Sequence, residues 1–242
     1  MRIGIAQIES VKGHIEKNLE KHLKFIEAMA EKKPDLMMFP ELSLTGYEPE
    51  LAKDLATTAN DIRLLPLQEA SNKYDLILCV GIPTTNEGQL YVSMVIFRPG
   101  KAPITYSKQY LYHTETGIFT PGNTPCILPY DARNIVAPAI CYELFNAAHA
   151  DYAHRQHATI YMASVLNSVN GVDADIEKLS KIAATYRMTT FMANYIGISG
   201  DYQCAGKSSV WDSEGKLIAQ LDDKTEGVIL YDTETGEIEC VD

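Results

Sequence analysis

The sequence predicts a single α/β domain in which helices cover mixed β-sheets. Apolar strand segments alternate with amphipathic helical segments, and hairpin-like strand pairs lie between them. The alternation is typical of α/β folds, and the hairpins require antiparallel neighbours in the same sheets. The number of strands fits two sheets with helices outside. No Ser/Gly linker, composition break or internal repeat divides residues 1–242, so we expect one domain.

The first third of the chain gives the clearest strand and helix signals. Residues 2–8 are apolar and predict a first strand. Residues 14–32 carry apolar side chains at helical spacing with charge on the other face, which predicts an amphipathic helix that ends before Pro34. The further elements predicted here are a short apolar strand at 36–39, a helix at 61–73 and a buried strand at 76–82.

Antiparallel character begins after residue 85. Turns at 85–88 and 98–101 separate strands at 91–97 and 104–107, which predicts a meander. A looser loop covers residues 110–125. The remaining predicted elements are a strand at 135–140, a helix at 146–157, a strand at 159–163, a helix at 174–187, a strand at 190–196 and closing strands at 207–211, 217–221 and 227–231.

Composition and charge exclude several classes of partner. Hydrophobic residues make up 46% and charged residues 22%, as in ordinary globular proteins. The net charge of −11 argues against nucleic acid or an anionic membrane, because both require a basic face. The chain opens on a strand and no apolar run reaches membrane-spanning length, so we expect no signal peptide and a cytoplasmic location. The five cysteines are scattered without a C-x-x-C pair, which fits free thiols in a reducing compartment.

Three reactive side chains follow apolar strands in the same way. Glu41 follows L-M-M-F-P, Lys108 follows I-T-Y-S and Cys141 follows I-V-A-P-A-I. Active sites in α/β sheets form beyond the carboxyl ends of strands, so Cys141 is a candidate nucleophile. The competing interpretation is a structural core cysteine, since free cysteine is among the most buried residue types.

A carboxylate, an ammonium group and a thiol in one place would form an acyl-transfer site. A thiol is a weak nucleophile at its ordinary pKa, so a base must remove its proton, and Glu41 would do so if burial raised its own pKa. Lys108 and the backbone N–H of Tyr142 would stabilise the oxyanion. Taken singly, Glu41 is also compatible with a surface loop and Lys108 with a solvated strand edge.

Longer motifs around these residues resemble those of the nitrilase, or carbon–nitrogen hydrolase, superfamily. F-P-E-L-S-L-T-G-Y at 39–47 is similar to its glutamate motif, Y-S-K-Q-Y-L-Y-H-T-E-T-G-I-F-T-P-G at 106–122 to its lysine motif, and I-C-Y-E-L-F at 140–145 to its nucleophile motif. The motifs follow the family's order, and the resemblance spans nearly the whole chain. It implies a four-layer α-β-β-α sandwich that assembles as a homodimer or a higher homo-oligomer.

The resemblance also implies roles for single residues. It makes Glu41 the general base, Lys108 the oxyanion stabiliser and Cys141 the nucleophile, while Glu115 matches a second glutamate that positions the lysine and the substrate. No metal and no organic cofactor is implied. The candidate substrate-binding residues are Tyr47, Tyr142, Phe119 and Ser164, although aromatic residues in such motifs often simply pack.

The sequence departs from the family pattern beside the site. Tyr110 stands where the lysine motif usually has a histidine, and L-F-N-A at 144–147 replaces the frequent Arg-Phe-Pro-Glu. The missing arginine removes an anchor for a substrate carboxylate, which disfavours ω-amidase-like action on dicarboxylate monoamides. A-S-V-L at 163–166 replaces a loop that usually contains proline.

The histidines suggest two further sites, which the sequence disfavours. His149, His154 and His157 fall in one predicted helix with spacing that can bind zinc, but no carboxylate or thiolate partner stands in a recognised motif. A polar helix face is therefore the favoured interpretation. A papain-like pairing of Cys141 with His149 or His113 lacks the matching local signature.

The sequence thus predicts a hydrolase that splits a non-peptide C–N bond in a small amide through a cysteine thioester. The tyrosine after Cys141 is more amidase-like than the tryptophan common in nitrilases and carbamoyl-hydrolases. An N-carbamoyl-amine hydrolase, a nitrilase and a glutaminase-like subunit that passes ammonia to a partner enzyme are the alternatives. A catalytically idle binding or scaffolding protein is an alternative of another class, which the presence of all four motif residues disfavours.

Overall fold

The computed structural model describes residues 1–241, which contain fifteen β-strands and five α-helices. The strands are β1 (Arg2–Gln7), β2 (Leu36–Met38), β3 (Ile77–Asn86), β4 (Gln89–Arg98), β5 (Lys101–Ser107), β6 (Leu128–Pro129), β7 (Ile135–Ile140), β8 (Ile160–Ser164), β9 (Thr189–Ala193), β10 (Ile198–Ser199), β11 (Tyr202–Gln203), β12 (Ser209–Trp211), β13 (Leu217–Gln220), β14 (Gly227–Asp232) and β15 (Ile238–Val241). The helices are α1 (Ile15–Ala30), α2 (Ala52–Leu55), α3 (Leu65–Tyr74), α4 (Ala147–Arg155) and α5 (Val172–Tyr186), with 3-10 turns at Ile62–Leu64 and Cys141–Phe145.

Two large sheets carry the fold. The first has seven strands in the order β15-β14-β1-β2-β3-β4-β5, and the second has six in the order β13-β12-β9-β8-β7-β6. β1, β2 and β3 run parallel, as do β7, β8 and β9, whereas their outer neighbours pair antiparallel. Each sheet therefore has a parallel centre, and the carboxyl ends of its central strands lie at one edge.

Three apolar clusters show how the layers stack. One joins residues of both sheets, including Ile5 and Met38 from the first and Ile140 and Met162 from the second. Another joins the first sheet to α1 and α3, and a third joins the second sheet to α4 and α5. The two sheets thus pack face to face with helices on both outer faces, which confirms the predicted four-layer α-β-β-α sandwich.

Several short elements were not predicted, namely α2, β6, β10, β11 and β15. They have two to four residues, too few for a periodic pattern to stand out in the sequence. β15 pairs antiparallel with β14 and forms the edge of the seven-stranded sheet. Residues Ile238–Val241, for which the sequence predicts no element, are therefore part of a sheet.

No helix within residues 1–241 combines the length and the apolar character needed to cross a lipid bilayer.

Candidate active site

Glu41 lies in a tight turn that follows β2 and rests directly on β3. A Cβ atom at Gly81 would come within 2.2 Å of a backbone nitrogen of this turn, so only glycine permits the approach. Two hydroxyls, one from β8 and one from a residue just after β9, hold the turn from the other side. Ser164 Oγ donates to the carbonyl oxygen of Phe39 at 2.8 Å, and Tyr195 Oη donates to that of Glu41 at 2.8 Å.

Lys108 directly follows β5 and is fully buried. Its backbone N–H donates to Val92 O at 2.8 Å, and its carbonyl accepts from Gly122 N at 2.8 Å. Its Nζ lies 2.7 Å from Glu41 Oε1 and 2.7 Å from Glu115 Oε1. The structure therefore brings three of the predicted site residues into direct contact.

Glu115 is held by more than the lysine. Its Oε1 also accepts from Tyr47 Oη at 3.0 Å, and its Oε2 accepts from Tyr112 N at 2.7 Å. Both carboxylate oxygens thus accept hydrogen bonds, and Glu115 fixes the Lys108 ammonium group.

Cys141 is the first residue of the 3-10 turn after β7 and has φ of 45°. A non-glycine residue in this left-handed region costs about 1–3 kcal/mol, and such strain concentrates at functional sites. The thiol is half-buried, and its Sγ lies 3.8 Å from Leu166 O. The sharp turn presents the thiol at the end of the strand.

One carboxylate oxygen of Glu41 has no partner. Oε1 accepts from Lys108, but Oε2 is buried and has no donor at ordinary hydrogen-bond distance among the described residues. Burial raises the pKa of the Glu41 carboxyl, Lys108 lowers it, Glu115 adds to the rise, and the nearby Cys141 thiol lowers it. A buried acceptor without a donor is costly, so this oxygen is suited to receive a proton.

The charges of the site favour a neutral thiol beside a charged amine. Burial, and then the Glu41 carboxylate, raises the pKa of the Cys141 thiol well above its ordinary value, while Lys108 opposes the rise. Burial by itself would lower the pKa of Lys108, but Glu41, Cys141 and Glu115 together raise it. Lys108 therefore stays an ammonium group, and a nucleophilic role for Cys141 would require a base.

A third buried carboxylate, Glu143, belongs to the cysteine turn itself. Glu143 Oε2 accepts from Ile140 N at 2.7 Å, and Oε1 accepts from Gln109 N at 2.6 Å. Tyr106 Oη lies 2.8 Å from both oxygens. Because Ile140 directly precedes the cysteine and Gln109 directly follows the lysine, Glu143 ties the two strand ends together.

His149 extends this support, contrary to the polar helix face expected from the sequence. Its side chain is buried, with Nε2 at 3.0 Å from Tyr106 Oη and Nδ1 at 2.8 Å from Tyr161 Oη. Burial lowers the pKa of His149 to about 4. His154 and His157 are exposed, and among residues 1–241 no three His, Cys, Asp or Glu side chains are placed to hold a metal ion.

The thiol and the Glu41 carboxylate open into a cavity of about 300 Å³. Its aromatic walls are Tyr47, Tyr112, Tyr142, Phe145 and Tyr202. The sequence-predicted residues Tyr47 and Tyr142 thus line it. Phe119 and Ser164 do not belong to the lining: both are buried, Phe119 in the apolar cluster between the sheets and Ser164 bonded to Phe39.

Sequence reasoning missed three polar residues of the lining, Asn167, Ser168 and Asp175. Asp175 shares the buried face of α5 with Val172, Leu179 and Ile182. An acidic residue at a position where the helical period requires an apolar one is a signal that could have identified it.

Comparison with known proteins gives a consistent result. The sequence profile of the family described as "Carbon-nitrogen hydrolase" matches residues 2–240. The chain is 27% identical to the glutamine-dependent NAD(+) synthetase of Aquifex aeolicus (strain VF5), over 98% of this chain and 43% of that protein. It is 29% identical to the (R)-stereoselective amidase of Pseudomonas sp, over 60% of this chain and 52% of that protein. The chain thus spans about half the length, or less, of these curated relatives.

The fold has close counterparts among solved structures. An amidase from Nesterenkonia sp. AN1 superposes with a TM-score of 0.88 at 20% identity, covering 97% of this chain and 93% of that chain. At this identity the likeness concerns the fold.

Proposed function

Because the chain belongs to the carbon–nitrogen hydrolase family, we propose that it hydrolyses a small amide to a carboxylic acid and ammonia. The observation that carries the proposal is the unpartnered Glu41 Oε2, buried beside a cavity that also holds the Cys141 thiol. Glu41 has an oxygen that can take up a proton, and the Cys141 thiol must lose its proton before it can attack. The two groups therefore complement each other.

In the first half-reaction, Cys141 Sγ attacks the amide carbonyl carbon while Glu41 takes the thiol proton. The resulting oxyanion is stabilised by the Lys108 ammonium group and by the N–H of Tyr142, which stands in the first turn of a 3-10 helix, where N–H groups lack intrahelical partners. Glu41 then gives the proton to the departing nitrogen. The C–N bond breaks, ammonia leaves, and the acyl group remains on Cys141 as a thioester.

In the second half-reaction, water attacks the thioester carbonyl. Glu41 takes a proton from the water, and the same two donors stabilise the second oxyanion. The C–S bond breaks, Cys141 regains its proton from Glu41, and the carboxylic acid leaves. Glu41 acts as base and then as acid in each half, which its raised pKa favours.

The Nesterenkonia amidase supports a reactive cysteine at this place in the fold. In structures of two of its glutamate variants, the acetamide moiety of fluoroacetamide is covalently added at the active-site cysteine. The half-buried, strained Cys141 likewise presents a thiol to the cavity, where it is suited to nucleophilic attack.

A panel of small amides, N-carbamoyl amines and nitriles tests the proposal, with ammonia and carbon dioxide measured separately. We expect at least one amide to release ammonia without carbon dioxide. Cys141→Ala should abolish this ammonia release, whereas Cys126→Ala, which removes another half-buried thiol, should retain it. Carbon dioxide release would establish a carbamoyl substrate, and ammonia from nitriles alone a nitrilase. No ammonia from any compound would favour an idle binding protein.

One observation favours a second candidate, the release of ammonia from glutamine for a partner enzyme. The glutamine-dependent NAD(+) synthetase of Aquifex aeolicus matches 98% of this chain. Glutamine therefore belongs in the panel, and a kcat/KM for glutamine well above that of the simple amides would support this candidate.

A further inference from the structure

Asp175 places a carboxylate in the wall of the substrate cavity. The residue is 4% exposed and lies in the first turns of α5. Its Oδ2 accepts a hydrogen bond from Asn167 Nδ2. Its Oδ1 has no hydrogen-bond partner among the described residues, and the side chain faces the cavity.

No cation balances this carboxylate. Glu41 and Glu115 share the ammonium group of Lys108, whereas no lysine, arginine or histidine lines the cavity and Asp175 forms no ion pair within residues 1–241. Burial raises the pKa of Asp175 to about 6, and only the hydrogen bond from Asn167 opposes the rise. A buried carboxylate without a counter-charge is unfavourable, and a cationic ligand would relieve it.

Asn167 supplies a second acceptor at the same place. Its backbone N–H donates to Asn194 Oδ1 at 2.8 Å, and its carbonyl accepts from Asn194 Nδ2 at 3.3 Å. Because Nδ2 donates to the Asp175 carboxylate, Oδ1 is the atom of the amide left to accept from a ligand. The two side chains therefore present acceptor oxygens and a net negative charge.

The aromatic rings that line the cavity also favour a cationic ligand. Five rings line the cavity, and an ammonium group near a ring face is attracted to the negative charge density of that face. A carboxylate would instead meet Asp175 without any basic side chain to receive it. The lining thus favours positive over negative charge in the substrate.

We propose that Asp175, with Asn167, binds a cationic nitrogen in the acyl part of the substrate, so that the preferred substrates are amino-substituted amides. This inference rests on the proposed amide hydrolysis, and it names the substrate class of that site. Asp175 is then a substrate-binding residue that selects the substrate by charge.

A charge-matched series of amides tests the inference. ω-Amino amides from 3-aminopropanamide to 6-aminohexanamide are compared first, to find the best spacing. The best compound is then compared with its neutral and anionic counterparts, for example 5-aminopentanamide with hexanamide and with the monoamide of adipic acid. We expect kcat/KM to be at least about tenfold higher for the cationic amide than for the neutral one, with the anionic amide lowest, as a charged hydrogen bond implies.

Variants then assign the preference to Asp175. In Asp175→Asn the ratio of kcat/KM for the cationic amide to that for the neutral amide should fall at least about tenfold, and Asp175→Glu should retain part of it. Asp173→Asn is the matched control, since Asp173 lies on the same helix with 86% of its side chain exposed. An equal or higher kcat/KM for the neutral amide, or an unchanged ratio in Asp175→Asn, overturns the inference.

Binding separates this inference from the proposed function. Calorimetric titration of Cys141→Ala with the cationic and anionic amides measures charge selection without turnover. Tighter binding of the cationic amide would support the Asp175 site even if no amide were hydrolysed, whereas equal binding would refute it. Hydrolysis of amides without charge preference would leave the proposed function intact and refute only the role of Asp175.

Discussion

Two buried carboxylates flank Cys141, and they are held in different ways. Glu41 contacts an ammonium group through one oxygen, and its other oxygen has no partner. Glu143 accepts from two backbone N–H groups and a tyrosine hydroxyl, and both of its oxygens are occupied. A carboxylate whose two oxygens both accept hydrogen bonds fits a structural role. The unpartnered oxygen of Glu41 instead fits a group that takes up and releases protons.

The two surroundings also differ in charge. The Lys108 region contains an ammonium group between two carboxylates, so its members depend on one another's ionisation. The Glu143 region contains neutral donors, two tyrosines and the buried His149. Removing a charge should therefore lower stability most in the Lys108 region. Adding a charge should lower stability most in the Glu143 region.

The largest expected effect is the loss of turnover in Glu41→Gln. Glutamine has a similar shape but cannot take the thiol proton, so we expect kcat to fall by about 10²–10⁴-fold, the usual contribution of a general base. Glu143→Gln is the comparison variant: its amide can accept from only one of the two backbone N–H groups that Glu143 holds, so it should mainly lower the free energy of unfolding and should reduce kcat less than Glu41→Gln does. Ammonia release from the best amide measures both, and equal losses in the two variants would contradict the distinction.

The next effect is on stability, in Lys108→Met. Without the ammonium group, Glu41 and Glu115 are buried carboxylates with no counter-charge, so the free energy of unfolding at pH 8 should fall by about 3–5 kcal/mol. Urea unfolding measures this. Lys181→Met removes an exposed lysine paired with Glu177 and should change stability by less than about 1 kcal/mol. Comparable losses in both would show that the buried charges are not coupled as described.

The smallest effect is the acid sensitivity that His149 adds to the second region, which Glu143 opposes because burial raises its pKa to about 7. The pKa of His149 is about 4 in the folded protein and 6.5 ordinarily, so the unfolded chain binds the proton more tightly. The stability contributed by neutral His149 is present above pH 6.5 and is lost as the pH falls toward 4, by at most about 3 kcal/mol.

Unfolding at pH 7, 5.5 and 4.5 checks this expectation against His149→Gln, which should lose less stability over the range. His154→Gln removes an exposed histidine and should follow the wild-type curve. A wild-type protein and His149→Gln with parallel curves would show that His149 does not titrate differently in the folded state.

Part of the site could be predicted because it depends on local sequence. Glu41, Lys108 and Cys141 each follow an apolar strand, where α/β sheets place their active sites, although β2 and β5 belong to one sheet and β7 to the other. The motif resemblance added Glu115. The sheets and outer helices followed from the same periodicity.

The remaining features of the site depend on how segments that are far apart in the sequence pack together. The burial of His149 follows from α4 turning that face toward Tyr106 and Tyr161, which composition does not reveal. Asp175 reaches the cavity only because α5 packs behind the cysteine turn, and Ser164 turns away from it to bond Phe39. Such contacts between segments far apart in sequence leave at most a weak local signal.

The central claim is that Cys141 carries the acyl group of the substrate. Intact-mass spectrometry of the protein, acid-quenched during turnover of the best amide, tests it most directly. We predict a mass increase equal to one acyl group, located on the peptide that contains Cys141 and absent from Cys141→Ala. Ammonia release at an unchanged rate in Cys141→Ala, or an acyl group found on another residue, would contradict the claim.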